Sequence, residues 1–331
     1  MMKKILIASI LTVFCFSVLS LNAGEITGNQ IKNTAVNWMK EHFGNSEYEI
    51  ASIEIINGNQ GNSMFLVSFS PEGWIILSEK QDLFPVVAFS PKGKYSNERI
   101  KDNISIKSFK PEKPEESKLL WKRFSVNPVY FKSQKKRAGV EPLVQTNWDQ
   151  GSPYNLFCPA INSGLEKTIT GCLPLAMAQI INYYKYPAVG FGSNSYIPGT
   201  NSEIGTLTVN FSEQTYNYSG MNDVEAAKLI YHCGVAAGAD YGVDNTPTSD
   251  HDICAAFKTN FGYSNDVRII YFNHYPGEEW KSIICEQLDN LSPVIIGGTT
   301  IENDAHSFII DGYLDNYFFH VNWGWGGMSD G

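Results

Sequence analysis

Cys172 stands directly ahead of a long apolar run in the sequence TGCLPLAMAQIINYYKY, which extends from Thr170 to Tyr186. Its apolar residues recur every three or four positions, which predicts a buried helix that begins near Cys172. Thr170 is a common type of helix cap, and Pro174 is tolerated in a first turn. The free N–H groups at a helix N-terminus favour thiolate, the nucleophilic form of cysteine. The alternative is a buried cysteine that serves only in packing.

His306 and Asn322 follow Cys172 at a spacing that suits nucleophilic catalysis. His306 comes 134 positions after Cys172 in DAHSFIIDGY, and Asn322 lies in FHVNWGWGG. In papain-like proteins the histidine and asparagine follow the cysteine by roughly 130–150 residues. The histidine would carry the thiol proton, the asparagine would orient the imidazole, and Trp323 would shield their hydrogen bond. The alternative for His306 is a strand histidine satisfied by a backbone carbonyl.

Helices precede strands in the part of the chain that follows Arg137. Besides the helix at Cys172, the apolar spacing predicts helices over residues 223–237 and 250–261. The later runs PVIIGGTT, HSFIIDGY and NYFFHVNWGWGG are rich in β-forming residues and are separated by turn residues. The sequence therefore predicts an α+β domain with a helical first half and a sheet in its second half.

Residues 24–137 have a different pattern. The run ITGNQIKNTAVNWMKEHFG predicts an amphipathic helix that ends at Gly44. Four short runs follow, YEIASIEIING, SMFLVSFS, GWIILSEK and FPVVAFSP, and they predict an antiparallel sheet. A second helix is predicted around residues 115–124. The basic cluster at residues 132–137 is either an exposed segment that a protease cuts or only a solvated connector.

The chain opens with MMKKILIASILTVFCFSVLSLNAGE, which predicts a secretory signal peptide over residues 1–23. The alternative, a membrane anchor, is disfavoured because the apolar run is short for a bilayer span of about 20 residues. Exported proteins usually pair their cysteines, but an odd number cannot all pair, so we expect a free thiol. The five cysteines after the signal are Cys158, Cys172, Cys233, Cys254 and Cys285.

Charge is unevenly distributed along the chain. Residues 24–137 contain 17 basic and 13 acidic residues, whereas residues 138–331 contain 6 basic and 21 acidic residues. The first segment is therefore net positive by 4 and the second net negative by 15, which predicts mutual attraction. The alternative is that the acidity only maintains solubility. So acidic a C-terminal segment is not expected to bind nucleic acid.

Several blocks of the sequence resemble one known family. TGC with AMAQIINYYKYP resembles a nucleophile block, HSFIIDGY a histidine block, and FHVNWGWGGMSDG an asparagine–tryptophan block. PLVQTNWDQGSPYNLFCP is similar to the start of a mature enzyme, and GWIILSEKQDLFPVVAFSPKGKYS is similar to a propeptide. In this order, over nearly the whole chain, they resemble the streptopain and interpain family of secreted papain-like bacterial cysteine peptidases.

The resemblance implies a zymogen of α+β class. A papain-like catalytic domain, helical first and then an antiparallel sheet, would span residues 138–331. A small α+β propeptide at residues 24–137 would inhibit it until cleavage near Lys135–Ala138. The implied product is a secreted endopeptidase, extracellular or periplasmic, without cofactor, metal or membrane attachment. Its partners would be its own propeptide and protein or peptide substrates, with a hydrophobic side chain favoured on the N-terminal side of the cleaved residue.

The same resemblance implies the roles of individual residues. The expected catalytic residues are Cys172, His306, Asn322 and Trp323, and the expected substrate-binding residues are Gly171 and Ala305.

Some positions depart from the family pattern. Relatives use a glutamine ahead of the nucleophile as an oxyanion donor, but Glu166 stands at that place here, and an ionised carboxylate cannot donate. The candidate substitutes are Asn162 and the backbone N–H of Cys172. Relatives also continue beyond Gly331, so we expect the catalytic domain to be incomplete. These differences, with Pro174, favour a second hypothesis: an inactive homologue that binds peptides or proteins.

Overall fold

The computed structural model describes residues 26–44, 48–57, 63–95, 114–128, 139–299, 305–314, 318–328 and 330–331. The predicted signal peptide and the predicted cleavage segment lie outside these residues. The described residues form an N-terminal part, up to residue 128, and a C-terminal part, from residue 139, with separate apolar cores. None of the described helices has the length and apolar character needed to cross a membrane.

The N-terminal part is a four-stranded antiparallel sheet with two helices. The helices are α1 (Gly28–Phe43) and α2 (Pro114–Phe124). The strands are β1 (Glu49–Asn57), β2 (Ser63–Ser70), β3 (Trp74–Ser78) and β4 (Val86–Ser90), in that spatial order. These elements confirm the predicted helices and the predicted sheet.

Helix α1 begins and packs for reasons that are visible in its sequence. Thr27 and Gln30 form a capping box, in which each side chain accepts a hydrogen bond from the other residue's backbone N–H. The residues on one face, including Ala35 and Trp38, are buried against the sheet. The side chain of Asn37 donates to the carbonyl of Phe124 at 2.7 Å and so ties α1 to the end of α2.

Four helices form the first half of the C-terminal part and its boundary with the sheet. They are α3 (Cys172–Tyr184), α4 (Asp223–Ala236), α5 (Asp250–Thr259) and α6 (Gly277–Asp289). All residues of α3 from 173 to 181 are buried, because α4, α5 and the sheet surround it. Helix α3 is thus the central element of the core, as its apolar sequence predicts.

The sheet of the C-terminal part is antiparallel. Its strands are β10 (Val294–Thr299), β11 (Ala305–Leu314) and β12 (Phe318–Asn322), and the short strand β5 (Gly139–Val140) pairs with the far end of β11. Two small hairpins complete this part: β6 (Ala160–Ile161) with β7 (Glu166–Lys167), and β8 (Ser193–Tyr196) with β9 (Leu207–Asn210). The architecture is therefore α+β, with helices ahead of an antiparallel sheet, as predicted.

Phe318, the first residue of β12, packs into the core of the N-terminal part. Its ring centroid lies 5.0 Å from that of Trp38 and 5.4 Å from that of Phe89. Ser90 donates a hydrogen bond to the backbone carbonyl of Asp330. These described contacts between the two parts lie on β12 and on the last residues of the chain.

Candidate active site

Cys172 is the first residue of α3, as the sequence predicts, but the cap is not Thr170. The N-cap is Gly171, and the Thr170 hydroxyl instead contacts the Gly171 carbonyl at 3.4 Å. Gly171 has φ +83° and ψ +144°, a backbone conformation that residues with a side chain rarely adopt. The prediction for Thr170 was wrong because a glycine in this conformation turns the chain into the helix without a side-chain cap.

Gly171 also lies against the backbone of another loop. A Cβ atom at this position would stand 2.7 Å from the carbonyl oxygen of Thr246. The Thr246 hydroxyl in turn donates to the carbonyl of Ile169 at 2.8 Å. The chain before Cys172 is therefore fixed on both sides, which holds the thiol at one place.

The Cys172 sulfur faces strand β11. The backbone N–H of Ser307 donates a hydrogen bond to Cys172 Sγ at 3.4 Å. This donor lies at the same end of α3 as the free N–H groups of its first turn. Sequence reasoning did not identify the Ser307 donor, because a backbone N–H has no side-chain signal.

His306 precedes Ser307 on β11 and is 7% exposed. Its Nε2 atom lies 3.0 Å from the backbone carbonyl oxygen of Trp323. Burial lowers the pKa of His306 below its ordinary value, and the hydrogen bond to Trp323 partly opposes this shift. With Nε2 held by a carbonyl, Nδ1 is the ring nitrogen left to exchange a proton with the thiol.

Aromatic rings surround the His306 imidazole. The Trp325 ring centroid lies 5.0 Å from the imidazole centroid, whereas the Trp323 ring lies at 6.3 Å and stacks on Trp325. Trp325, which the sequence analysis missed, thus lies nearer to the imidazole than Trp323, the residue predicted to shield it. The repeat WGW in FHVNWGWGG is the signal that could have identified it.

Among the described hydrogen bonds, none joins the Asn322 side chain to the imidazole, which corrects the predicted asparagine–histidine hydrogen bond. Its side-chain nitrogen donates to the carbonyl of Thr146 at 2.8 Å, and its side-chain oxygen accepts from Gly324 N at 3.1 Å. Gln179 also donates to that oxygen, at 3.3 Å. In the register of the sheet Asn322 pairs with Ile309, so it lies beside β11 at a distance from His306 along the strand. Its contacts fix the end of β12.

The turn after β12 carries the carbonyl that holds His306. Trp323 N donates to Asp330 Oδ1 at 2.9 Å, and Gly326 N donates to the Trp148 carbonyl at 3.0 Å. Burial raises the pKa of Asp330 to about 6, although the hydrogen bond from Trp323 and the charge of His320 lower it. This turn therefore positions the Trp323 carbonyl through a partly buried carboxyl group.

Ala305 and Asn162, the two remaining predicted positions, differ in environment. Ala305 is the exposed first residue of β11, next to His306. Asn162 lies at the β6–β7 hairpin, where its side-chain amide donates to the carboxylate of Glu166. Asn162 and Glu166 are exposed and bound to each other. The amide of Asn162, a candidate oxyanion donor, is thus engaged by Glu166 in this arrangement.

The other cysteines differ from Cys172 in their surroundings. All five described cysteines are free, so the expected pairing of exported cysteines is not found among them. Burial raises the pKa of the Cys158 thiol to about 12 and also raises the pKa of Cys233. Within the described ranges, no three potential ligand side chains stand close enough to hold a metal ion together.

Two family models match the chain. The Peptidase C10 family model matches residues 148–331, and the model for the Spi protease inhibitor matches residues 23–109. Streptopain of Streptococcus pyogenes is 27% identical over 297 residues, which is 82% of this chain and 73% of the relative. The thiol protease/hemagglutinin PrtT of Porphyromonas gingivalis is 27% identical, over 100% of this chain and 41% of that protein.

Two solved structures from Prevotella intermedia are similar. A prointerpain A fragment matches with TM-score 0.64 and 25% identity, over 85% of this chain and 91% of the other. Active interpain A matches with TM-score 0.54 and 33% identity, over 58% and 85%. Fold and matches together define a papain-like cysteine peptidase made as a zymogen with an inhibitory propeptide. The chain belongs to the Peptidase C10 family.

Proposed function

We propose that this zymogen matures into an exported cysteine endopeptidase in which Cys172 is the nucleophile and His306 is the general acid and base. The observation that carries the proposal is the position of Cys172 Sγ, which lies at the start of α3 and accepts from Ser307 N at 3.4 Å, beside His306 on β11. Trp323 supplies the carbonyl that orients the imidazole, and Asn322 is a positioning residue.

The reaction follows from these roles. The Cys172 thiolate attacks the carbonyl carbon of a substrate peptide bond, and the Cys172 N–H stabilises the oxygen anion that forms. The His306 imidazolium donates its proton to the leaving amine, and a thioester remains on the sulfur. His306 then removes a proton from water, which hydrolyses the thioester and restores the enzyme. Gly171 and Ala305 would border the substrate.

The proposed organisation keeps the predicted boundaries. A signal peptide at residues 1–23 would direct export, residues 24–137 would form the propeptide, and residues 138–331 would form the peptidase domain. Cleavage near Lys135–Ala138 would separate the two domains. The substrates would be proteins or peptides, and neither nucleic acid nor a membrane would be a partner of the mature enzyme.

Alkylation of Cys172 across pH tests the proposal. We expect fast labelling of Cys172 at neutral and mildly acidic pH, read by mass spectrometry in the processed enzyme. Cys158 serves as the internal control, because burial raises its pKa to about 12 and it should stay unlabelled in the folded protein.

Matched variants distinguish a peptidase from a binding protein. Cys172→Ala should abolish self-processing and peptide cleavage, and His306→Ala should slow Cys172 alkylation at neutral pH. Full cleavage activity in either variant would contradict the assigned roles. Labelling of Cys172 only in alkaline solution would instead support the inactive homologue that binds peptides without cleaving them.

A further inference from the structure

One acidic side chain lies beside the candidate catalytic residues without a role in their chemistry. The loop that contacts Gly171 through Thr246 continues to Asp250, the first residue of α5. Ser249 caps this helix, its side chain accepting from His251 N at 3.2 Å, so the backbone at Asp250 is fixed. The loop therefore runs from the chain just ahead of the nucleophile to the position of the Asp250 carboxylate.

The Asp250 carboxylate lies over strand β10 at Gly297. A Cβ atom on Gly297 would stand 3.9 and 4.0 Å from the two carboxylate oxygens and 3.8 Å from the Ser307 hydroxyl. Gly297 pairs with Ser307, whose N–H donates to Cys172 Sγ. The carboxylate is thus placed beside the residue that contacts the nucleophile.

The strand beneath this carboxylate has no side chain at two successive positions. Gly297 and Gly298 are consecutive and exposed, and Gly298 pairs with His306. Because Gly297 has no side chain, β10 leaves a space beside the Asp250 carboxylate and the Ser307 hydroxyl, on the face of the sheet that Gly297 shares with Ser307. A long side chain of a bound peptide can occupy it and reach Asp250.

Asp250 itself is exposed, and among the described residues its carboxylate has no hydrogen-bonded or ionic partner. Some other acidic groups of the C-terminal part do have such partners. Asp240, for example, accepts from the Thr200 backbone and hydroxyl. A carboxylate that no internal group neutralises is available for a cation brought by the substrate.

We propose that Asp250 is a specificity-determining residue that selects protein substrates with a lysine or arginine side chain close to the scissile bond. The inference rests on the proposed function, because it assigns a substrate class to the same cleft. It departs from the hydrophobic preference that the family resemblance implies, since Asp250 provides a charge beside Gly297 and Gly298, where β10 has no side chains.

The sequence of the chain supports a basic substrate independently. Its own linker between the two domains contains Lys135, Lys136 and Arg137 in succession. The region from residue 138 onward is net negative by 15, which attracts such a segment. The linker therefore has the basic side chains that Asp250 would select, and the enzyme would cleave its own zymogen at this linker.

The test measures kcat/KM of the processed enzyme for peptides that carry arginine or methionine at one position at a time around the scissile bond. At one position we expect Asp250→Asn to lower the ratio of kcat/KM for the arginine peptide to that for the methionine peptide about fivefold to tenfold. A change of this size is expected when an ion pair that substrate binding shields from water is lost. Asp250→Lys should invert the ratio at that position.

Asp252→Asn is the matched control, because Asp252 is exposed in the same first turn of α5 and its removal changes net charge and helix dipole equally. It should leave the ratio unchanged. If the parent enzyme and Asp250→Asn have equal arginine-to-methionine ratios at every position, this inference is overturned and the proposed function stands. If the parent neither labels rapidly at Cys172 nor cleaves any peptide, the proposed function is overturned and this inference falls with it. Unchanged alkylation of Cys172 in Asp250→Asn shows that the site is intact.

Discussion

Gly171 combines two constraints that exclude any residue with a side chain. Its φ of +83° and ψ of +144° lie close to a region that costs other residues about 1–3 kcal/mol, and a Cβ would stand 2.7 Å from the Thr246 carbonyl oxygen. We therefore expect Gly171→Ala to lower the free energy of unfolding by about 3 kcal/mol, because overpacking adds to the backbone strain. Chemical denaturation measures this change, and displacement of Cys172 should also lower kcat.

Gly238 provides the control for this substitution. It has φ +61°, but a Cβ there would meet nothing within 4 Å. Gly238→Ala should therefore cost only the backbone strain of about 1 kcal/mol. Equal losses in the two variants would show that the contact with Thr246 contributes nothing.

The chemistry of single residues is only partly predictable from the sequence. Cys172 and His306 were identified by residue type and spacing, because their side chains carry the proposed chemistry. The partner of His306 was misassigned to Asn322, since the actual acceptor is a backbone carbonyl of Trp323. Any residue type can supply that carbonyl, so only the path of the chain after β12 determines which one does.

The turn between Trp323 and Asp330 predicts a pH dependence of stability. Burial raises the pKa of Asp330 to about 6, above the value of about 4 expected in the unfolded chain. As pH rises through this window the unfolded chain ionises first, so the folded state loses up to about 3 kcal/mol relative to the unfolded state. Below about pH 4 both states are protonated and the penalty is absent.

Asp330→Asn removes this penalty while keeping an acceptor for Trp323 N. We expect the variant to exceed the parent in free energy of unfolding by up to about 3 kcal/mol at pH 8 and to equal it at pH 4. Urea denaturation at a series of pH values gives the comparison. A difference that is constant across pH, or largest in acid, would disprove the ionisation argument.

Secondary-structure elements were predictable where one pattern dominated. Helix α3 has eight apolar residues among the nine from 173 to 181, and α5 begins after a clear cap at Ser249. Helix α6 was not predicted, although Trp280, Ile284 and Leu288 recur at the spacing of one buried face. Its sequence begins with Pro276 and Gly277 and has few apolar residues, so packing against β11 rather than intrinsic preference accounts for it.

The contact between the two parts of the molecule predicts how tightly the propeptide is held. Phe318 of the peptidase part packs among the rings of Trp38, Phe84 and Phe89 of the propeptide part. Phe318→Ala should weaken their association by about 2 kcal/mol, which is about 30-fold in Kd, because the half-buried ring loses its contacts.

The association is measurable in the full chain after its linker has been cleaved. Dilution of the cleaved complex should release activity at a higher enzyme concentration for Phe318→Ala than for the parent. Phe157→Ala is the control, since Phe157 is 42% exposed on the peptidase part, and it should change Kd less than about twofold. A parent-like dilution curve for Phe318→Ala would exclude this contact as a main holding point.

The contact of Phe318 with the N-terminal part joins residues that are far apart in the chain. No local sequence pattern predicts a contact of this kind.

The free cysteines have a consequence for how such an enzyme tolerates its surroundings. Many exported proteins depend on disulfide cross-links, so the reductants that restore an oxidised thiol also weaken their scaffold. Here the five described cysteines form no cross-link, and the cores are held by packing and hydrogen bonds. A thiol reductant can therefore restore an oxidised nucleophile while the described framework stays intact. Reduction of the nucleophile and stability of the fold thus do not depend on the same sulfur chemistry.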